Sequence, residues 1–348
     1  MPLRARVSAA VRDLVGRLPG GRRLKAEFDQ CERQRDRLRD QVEAMRLRGQ
    51  ARGPSPDILR QVLPLRRAAF ARAGDPDAPR LEAHFAAGSA SYREAIAAPV
   101  PGGVETVLVD GLAWLVPAGS DPRSPLEEIL QARELALGGT MLDIGANVGT
   151  TAITRVLLGD VTRVFAAEPD PVNYACLVRN VADNVARGRV LPDRVAISDH
   201  DGTITMQRGH STTHHLVDRA PAAGRETVDV PCLRLDSWVR RLGIDLDALH
   251  FIKVDTQGWE ARVLAGAPEV LARRHIVWQL EFTPSMLRRA GSSTPDLFAL
   301  LRASFTHFID MRGTVPPRSR AVSELADALA YVGQGSRSDA NLLLYNAA

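Results

Sequence analysis

Four carboxylates and a lysine stand where the apolar pattern places short strands or their ends. Asp143 lies in Met141–Leu142–Asp143–Ile144, and Glu168 follows Val164–Phe165–Ala166–Ala167. Asp255 follows Phe251–Ile252–Lys253–Val254, and Glu281 follows Ile276–Val277–Trp278–Gln279–Leu280. An ionised carboxylate only accepts hydrogen bonds, so Glu168 suits a pair of neighbouring hydroxyls such as a ribose diol. Lys253 and Asp255 are two residues apart and share one strand face, so the ammonium can hold the carboxylate ionised. An ionised acid at a strand end is a candidate proton acceptor, and Glu281 is a second one. Between the first two strands, Gly145, Asn147 and Gly149 form a turn into a helix. Together these residues describe a nucleoside pocket with a base beside it.

The turn narrows the ligand. A dinucleotide fingerprint wants three glycines, G-x-G-x-x-G, whereas here Asn147 holds the middle position. Asp143 would also repel a pyrophosphate. It suits a cationic or neutral ligand, such as the sulfonium and amino group of S-adenosylmethionine. A nicotinamide reductase with a Tyr-x-x-x-Lys pair is disfavoured as well, because Gly21 and Leu249 stand four residues before Lys25 and Lys253, the only lysines. Taken singly, each glycine reads as an ordinary strand-to-helix turn and Glu168 as a helix N-terminal charge. Their joint order and spacing favour the cofactor pocket.

The elements that must carry these residues alternate. Strands are expected near 141–145, 162–167, 189–197, 249–255 and 275–281. Helices are expected near 148–158, 171–186, 233–242, 259–273 and 294–303. Such alternation predicts a mainly parallel sheet with helices on both faces. Asp110–Gly111 between two apolar runs predicts a hairpin over 104–117. A helix from about Pro125 to Leu137, an extra strand at 203–206, a helix at 322–332 and a final strand at 341–345 complete the pattern. Residues 207–227 read as a loop; its His210, His214 and His215 fit solvated or substrate-facing side chains better than a metal site.

Basicity is confined to the N-terminus. Residues 1–70 carry 17 basic and 8 acidic side chains, a net of +9, whereas the whole chain is +4. Residues 1–19 read as a basic amphipathic helix. Leu24, Phe28, Cys31, Arg35, Leu38, Val42 and Met45 step by four and three, a short coiled-coil seam interrupted by arginine. Two more helices are expected at 57–73 and 77–97. This segment reads as a cap on the main domain or as a dimerising coiled coil. No aromatic residues interleave with the arginines, which argues against nucleic acid. Cys31, Cys176 and Cys232 are widely spaced and suggest neither disulfides nor a metal. The absence of a signal-like or membrane-length apolar run makes a cytoplasmic location the expectation.

Five blocks, in order, resemble the FkbM-type methyltransferases. They are Leu142 to Gly149; Phe165 to Pro171 with Leu177–Val178–Arg179–Asn180; Val195 to Gly202; Phe251 to Glu260 with Val263 to Ala267; and Ile276 to Glu281. The resemblance covers about 105–345. It implies an α/β, Rossmann-like class I methyltransferase sheet, mostly parallel with about seven strands, over 101–348, preceded by a helical extension over 1–100. It also implies O-methylation by S-adenosylmethionine of a sugar or natural-product hydroxyl, the acceptor being a small molecule or glycan. Methylation of nitrogen or carboxyl groups, and a non-catalytic assembly role with self-association through residues 24–45, are the alternatives. On this reading Asp143, Gly145, Asn147, Gly149, Glu168 and Ser198 hold the cofactor, Asp255, Lys253 and Glu281 are catalytic, and no metal is used. The family commonly has Glu where Gln257 stands, so Gln257 is expected to hydrogen-bond rather than to act as an acid.

Overall fold

Asp110 and Gly111 turn the chain back on itself as the sequence pattern requires. Both adopt left-handed backbone (φ 53° and 76°), the conformation of a two-residue hairpin turn. They join β1 (Val104–Val109) to β2 (Leu112–Pro117), paired antiparallel from Val109↔Leu112 outward. This computed structural model describes residues 56–73, 77–133, 135–207, 215–217, 227–311, 318–334 and 338–347. The chain divides into two units, Met1–Leu59 and Arg60–Ala348. The expected helix at 1–19, the heptad seam at 24–45 and Cys31 lie outside the described residues.

The alternating pattern yields β3 (Thr140–Ile144), β4 (Arg163–Ala167) and β5 (Val190–Asp193) with intervening helices Thr150–Leu158 and Pro171–Asp183. Then come β6 (Ala196–Ser198), β7 (Gly202–Gln207), β8 (His215–Val217) and β9 (Thr227–Arg234), followed by the Leu235–Leu242 helix. The C-terminal part supplies β10 (Leu249–Val254), β11 (Val277–Phe282), β12 (His307–Asp310), β13 (Ser319–Ala321) and β14 (Ala340–Tyr345).

The main sheet has eight strands in the order β13-β12-β14-β11-β10-β3-β4-β5. From β11 to β5 every neighbouring pair is parallel, and β14 runs antiparallel between β11 and β12. This is the Rossmann-like arrangement expected, with one strand more than expected at the β13 edge. The order reverses between β3 and β10, and that switch point is where open α/β sheets bind ligands. The central strands are buried on both faces: Met141, Leu142, Phe251, Ile252 and Val254 have no exposure. Continuous apolar runs are what such doubly covered strands need.

Three expected elements divide. The run 189–197 splits into β5, which stays in the main sheet, and β6, which joins a separate sheet of order β6-β9-β7-β8. The helix at 259–273 becomes Glu260–Ala265 and Pro268–Leu271. A Cβ on Gly266 would lie 1.9 Å from the Ser198 carbonyl oxygen, so close packing against β6 fixes the break. The 77–97 helix likewise breaks at Ser89, whose side chain accepts from the Tyr92 N–H and caps a second helix, Ala90–Ala97. The C-terminal helix shrinks to Leu325–Ala328 behind a short 3₁₀ turn.

Candidate active site

A cavity of about 870 Å³ opens beyond the carboxyl ends of β3, β4, β10 and β11. The first wall comes from the turn after β3. Asn147 takes a left-handed backbone (φ 52°), which asparagine tolerates better than most side chains. Its N–H donates to Glu168 Oε2 at 2.9 Å. Glu168 Oε1 accepts from the Asp170 N–H, also at 2.9 Å. Helix capping falls to Asp170 instead, whose side chain accepts from the N–H groups of Val172 and Asn173. Glu168 is thereby free to face the cavity, and each of its oxygens retains accepting capacity for a hydroxyl. Burial pushes its carboxyl up from 4.5 to about 8, and the backbone donors offset only part of that shift.

Gly145 lines the cavity, but its missing side chain serves a different contact from the one expected. A Cβ there would fall 1.8 Å from the Asp255 carbonyl oxygen. The glycine thus lets the turns after β3 and β10 press together, which sets the cofactor-side turn against the acid. Gly149 does not line the cavity; a Cβ there would meet Leu177 at 2.5 Å.

A polar row crosses the sheet beside the cavity, and its Lys253 lines that cavity. Asp143, Lys253 and Gln279 are register partners on β3, β10 and β11 and share one face. Lys253 Nζ donates to Asp255 Oδ2 at 3.0 Å and stands 3.8 Å from Asp143 Oδ1. Burial alone would lower this ammonium, but Asp255 and Asp143 outweigh it and hold it above the ordinary lysine value. Asp143 is fully buried, does not line the cavity, and neither of its oxygens has a hydrogen-bond partner within the protein. Burial raises its carboxyl, with Lys253 opposing. Asp143 therefore acts on Lys253 from behind the cavity wall, a correction to its expected contact with the ligand.

Asp255 faces the cavity with 35 % side-chain exposure. Gln257, also left-handed (φ 56°), donates from Nε2 to Asp255 Oδ1 and to Glu281 Oε2, both at 3.1 Å. Burial would raise Asp255, yet the Lys253 charge and the hydrogen bonds from Lys253 and Gln257 hold it below the usual carboxylate range. Glu281 goes the other way: burial and the neighbouring charges of Asp255 and Glu260 raise it well above that range. Glu260 itself is structural. Its Oε1 accepts from the Thr256 and Gly258 N–H groups and from the Thr256 hydroxyl, tying the turn that carries Asp255. Burial raises it from 4.5 to about 7.

Ser198 is a second correction. It is fully buried and absent from the cavity wall; its hydroxyl accepts from Trp259 Nε1 at 2.9 Å and donates to Asp199. The block around it builds β6, whose Ala196 and Ile197 do line the cavity, with Met206 of β7 and Leu216 of β8. His210 and His214 lie outside the described residues, and of His215 only the pairing of its backbone opposite Gln207 is described. No group of three metal-ligating side chains occurs among the described residues. Cys176 and Cys232 are free and buried.

Sequence reasoning overlooked Glu128. It lies on the Leu126–Ala132 helix, lines the cavity, and accepts from Gln279 and Asn341 side chains at the end of the polar row. Nothing in its local sequence separates it from Glu127. Only the packing of that helix over the sheet does.

The residues fit an S-adenosylmethionine. Glu168 offers accepting oxygens for a ribose diol, and the cavity continues to the ionised Asp255, whose negative charge suits a cationic ligand. Residues 143–307 match the methyltransferase FkbM domain. The chain is 28 % identical over 153 residues to the 2-O-methyltransferase NoeI of Sinorhizobium fredii, covering 40 % of this chain and 61 % of that protein. It is 26 % identical over 166 residues to the 31-O-demethyl-FK506 methyltransferase FkbM of Streptomyces tacrolimicus, covering 39 % and 62 % respectively. The matched region thus spans about three fifths of each relative's length. Among solved structures, methyltransferase FkbM from Methylobacillus flagellatus aligns over 60 % of this chain and 44 % of its own, with 17 % identity and a TM-score of 0.35. No helix among the described residues is long and apolar enough to cross a membrane.

Proposed function

We propose that the chain is an FkbM-type methyltransferase that transfers the methyl group of S-adenosylmethionine to a hydroxyl oxygen of a sugar or secondary metabolite. The observation that carries this reading is that Glu168 and the Lys253–Asp255 pair line one cavity at the sheet's switch point. When bound, the cofactor supplies an electrophilic methyl on a sulfonium sulfur. Glu168 and the 145–148 turn hold its nucleoside end. Asp255, kept ionised by Lys253, orients the acceptor hydroxyl and takes its proton as oxygen attacks, a role worth about 10² to 10⁴ in rate for a positioned base. Lys253 is held in turn by Asp143. Alignment of oxygen, methyl and sulfur supplies the rest of the acceleration.

An oxygen acceptor is favoured over a carboxylate, which needs no base and would be repelled by Asp255. The two relatives named above, whose names denote oxygen methylation, support the same choice. The test is methyl transfer from labelled S-adenosylmethionine to a panel of glycosides and hydroxylated polyketides, with the methylated atom located by mass spectrometry. Labelled ether is expected with the wild type. Asp255→Asn should lower turnover about 100-fold or more while cofactor affinity stays within a few-fold. Label found only on nitrogen or carboxyl groups, or full turnover by Asp255→Asn, would overturn the reading.

A further inference from the structure

Asp255 and Glu281 lie in one hydrogen-bonded group, yet their surroundings differ. Asp255 receives two donors: Lys253 Nζ on Oδ2 at 3.0 Å and Gln257 Nε2 on Oδ1 at 3.1 Å. Among the described residues Glu281 receives one side-chain donor, the Gln257 amide at 3.1 Å, and no cation pairs with it. Two carboxyl groups gathered on one amide nitrogen in a buried place resist ionising together, so the pair favours holding one proton. With the lysine on one side only, that proton belongs on Glu281.

We infer that Gln257 is the positioning residue of a one-proton acid pair, its single amide nitrogen bridging Asp255 and Glu281 so that Asp255 stays the proton acceptor and Glu281 the proton holder. The inference deepens the methyl-transfer reading above and rests on it for its kinetic consequence. In the reaction the acceptor O–H bond breaks as its C–O bond forms. The S–CH₃ bond breaks with its electron pair remaining on sulfur, and the released proton passes to Asp255. Glu281, already protonated, cannot take it. The left-handed backbone of Gln257 has a purpose on this account: it aims the side chain back across the mouth of β10 and β11 instead of along the following helix. The other charged groups around the pair are Lys253 and Asp143 on the sheet, Glu260 at the helix start, and Glu128, whose charge acts on Lys253. None of these three carboxylates donates a hydrogen bond to the pair when ionised, so the bridging amide is the contact that a substitution can remove cleanly.

Gln257→Met keeps length and volume but removes both N–H donors. Gln257→Glu keeps the shape and adds a third acid. The first readout is the titration of ¹³C-labelled Asp and Glu carboxyl groups by NMR in the full chain, with Asp255→Asn and Glu281→Gln used for assignment. In the wild type one carboxyl of the pair titrates below and the other above the ordinary range. In Gln257→Met the two move toward each other, and in Gln257→Glu the Asp255 transition moves up by about one pH unit or more. The acidic limb of the turnover–pH profile should shift by the same amount and in the same direction. Unmoved carboxyl titrations in folded Gln257→Met, as judged by its thermal melt, would overturn the inference. If the carboxyl titrations behave as stated but no acceptor is methylated, the acid pair stands and the methyl-transfer reading fails.

Discussion

At the scale of residues, the site is built from carboxylates whose surroundings push them in opposite directions. Glu168 and Glu260 are raised from 4.5 to about 8 and about 7, in both cases first by burial. Asp255, beside Lys253, is held low. The raised pair has a consequence for stability. The native protein keeps protons on Glu168 and Glu260 that the unfolded chain releases above about pH 4.5, so the native state binds more protons across that window and stability must fall as pH rises. The slope is at most about 1.4 kcal/mol per pH unit for each group. Thermal melts of the cofactor-free protein should therefore decline from about pH 5 toward pH 8, and Glu168→Gln should remove part of the decline in the upper half of that range. An identical slope in the variant would place the proton elsewhere. The placement of Glu168, Lys253, Asp255 and Glu281 around one cavity was legible in advance, because a charged residue after an apolar run is brought to a strand end. The placement of Asp143 and Ser198 was not legible: both lie buried off the cavity wall, where packing such as the Trp259 indole N–H on Ser198 holds them.

At the scale of elements, two strand-to-helix turns meet. The turn after β3 carries Asn147 and the turn after β10 carries Gln257, both in left-handed backbone. Gly145 lets them touch. Gly145→Ala would drive a Cβ to 1.8 Å from the Asp255 carbonyl, a contact that only backbone movement relieves. Overpacking of this kind costs about 1–3 kcal/mol or more. The expected outcome is a lower melting temperature together with weaker cofactor binding, since both turns shift; a variant with wild-type melting and affinity would show that the contact is dispensable. These turns were legible because glycine and asparagine punctuate the apolar runs. The accessory sheet was not. β9, β12 and β13 went unseen, and the run 189–197 gave no local sign that β6 leaves the main sheet, because that choice is set by pairing with β9, some thirty residues away. Glu128 reaches Gln279 across 151 residues, a contact that no short-range pattern encodes.

At the scale of the molecule, the sheet order explains why one cavity serves both partners of the proposed reaction. The order reverses between β3 and β10, so helices leave in opposite directions and a crevice opens between them. β3 and β4 bring the nucleoside side, β10 and β11 the acid side, and the small sheet with the Leu126–Ala132 helix supplies further wall. Earlier in the same unit, Arg66 and Arg67 donate to the carbonyls of Leu158 and Asp183 at the ends of the two helices that follow β3 and β4. Everything in the functional account depends on the cavity accepting S-adenosylmethionine with Glu168 as its ribose contact. Calorimetric titration of S-adenosylmethionine into the full chain and into Glu168→Ala tests this most directly. One saturable site in the wild type, weakened at least about tenfold in the variant, is the expected result, since a lost pair of hydrogen bonds costs about 0.5–1.5 kcal/mol each. No binding heat in the folded wild type, or equal affinity in the two proteins, would contradict it.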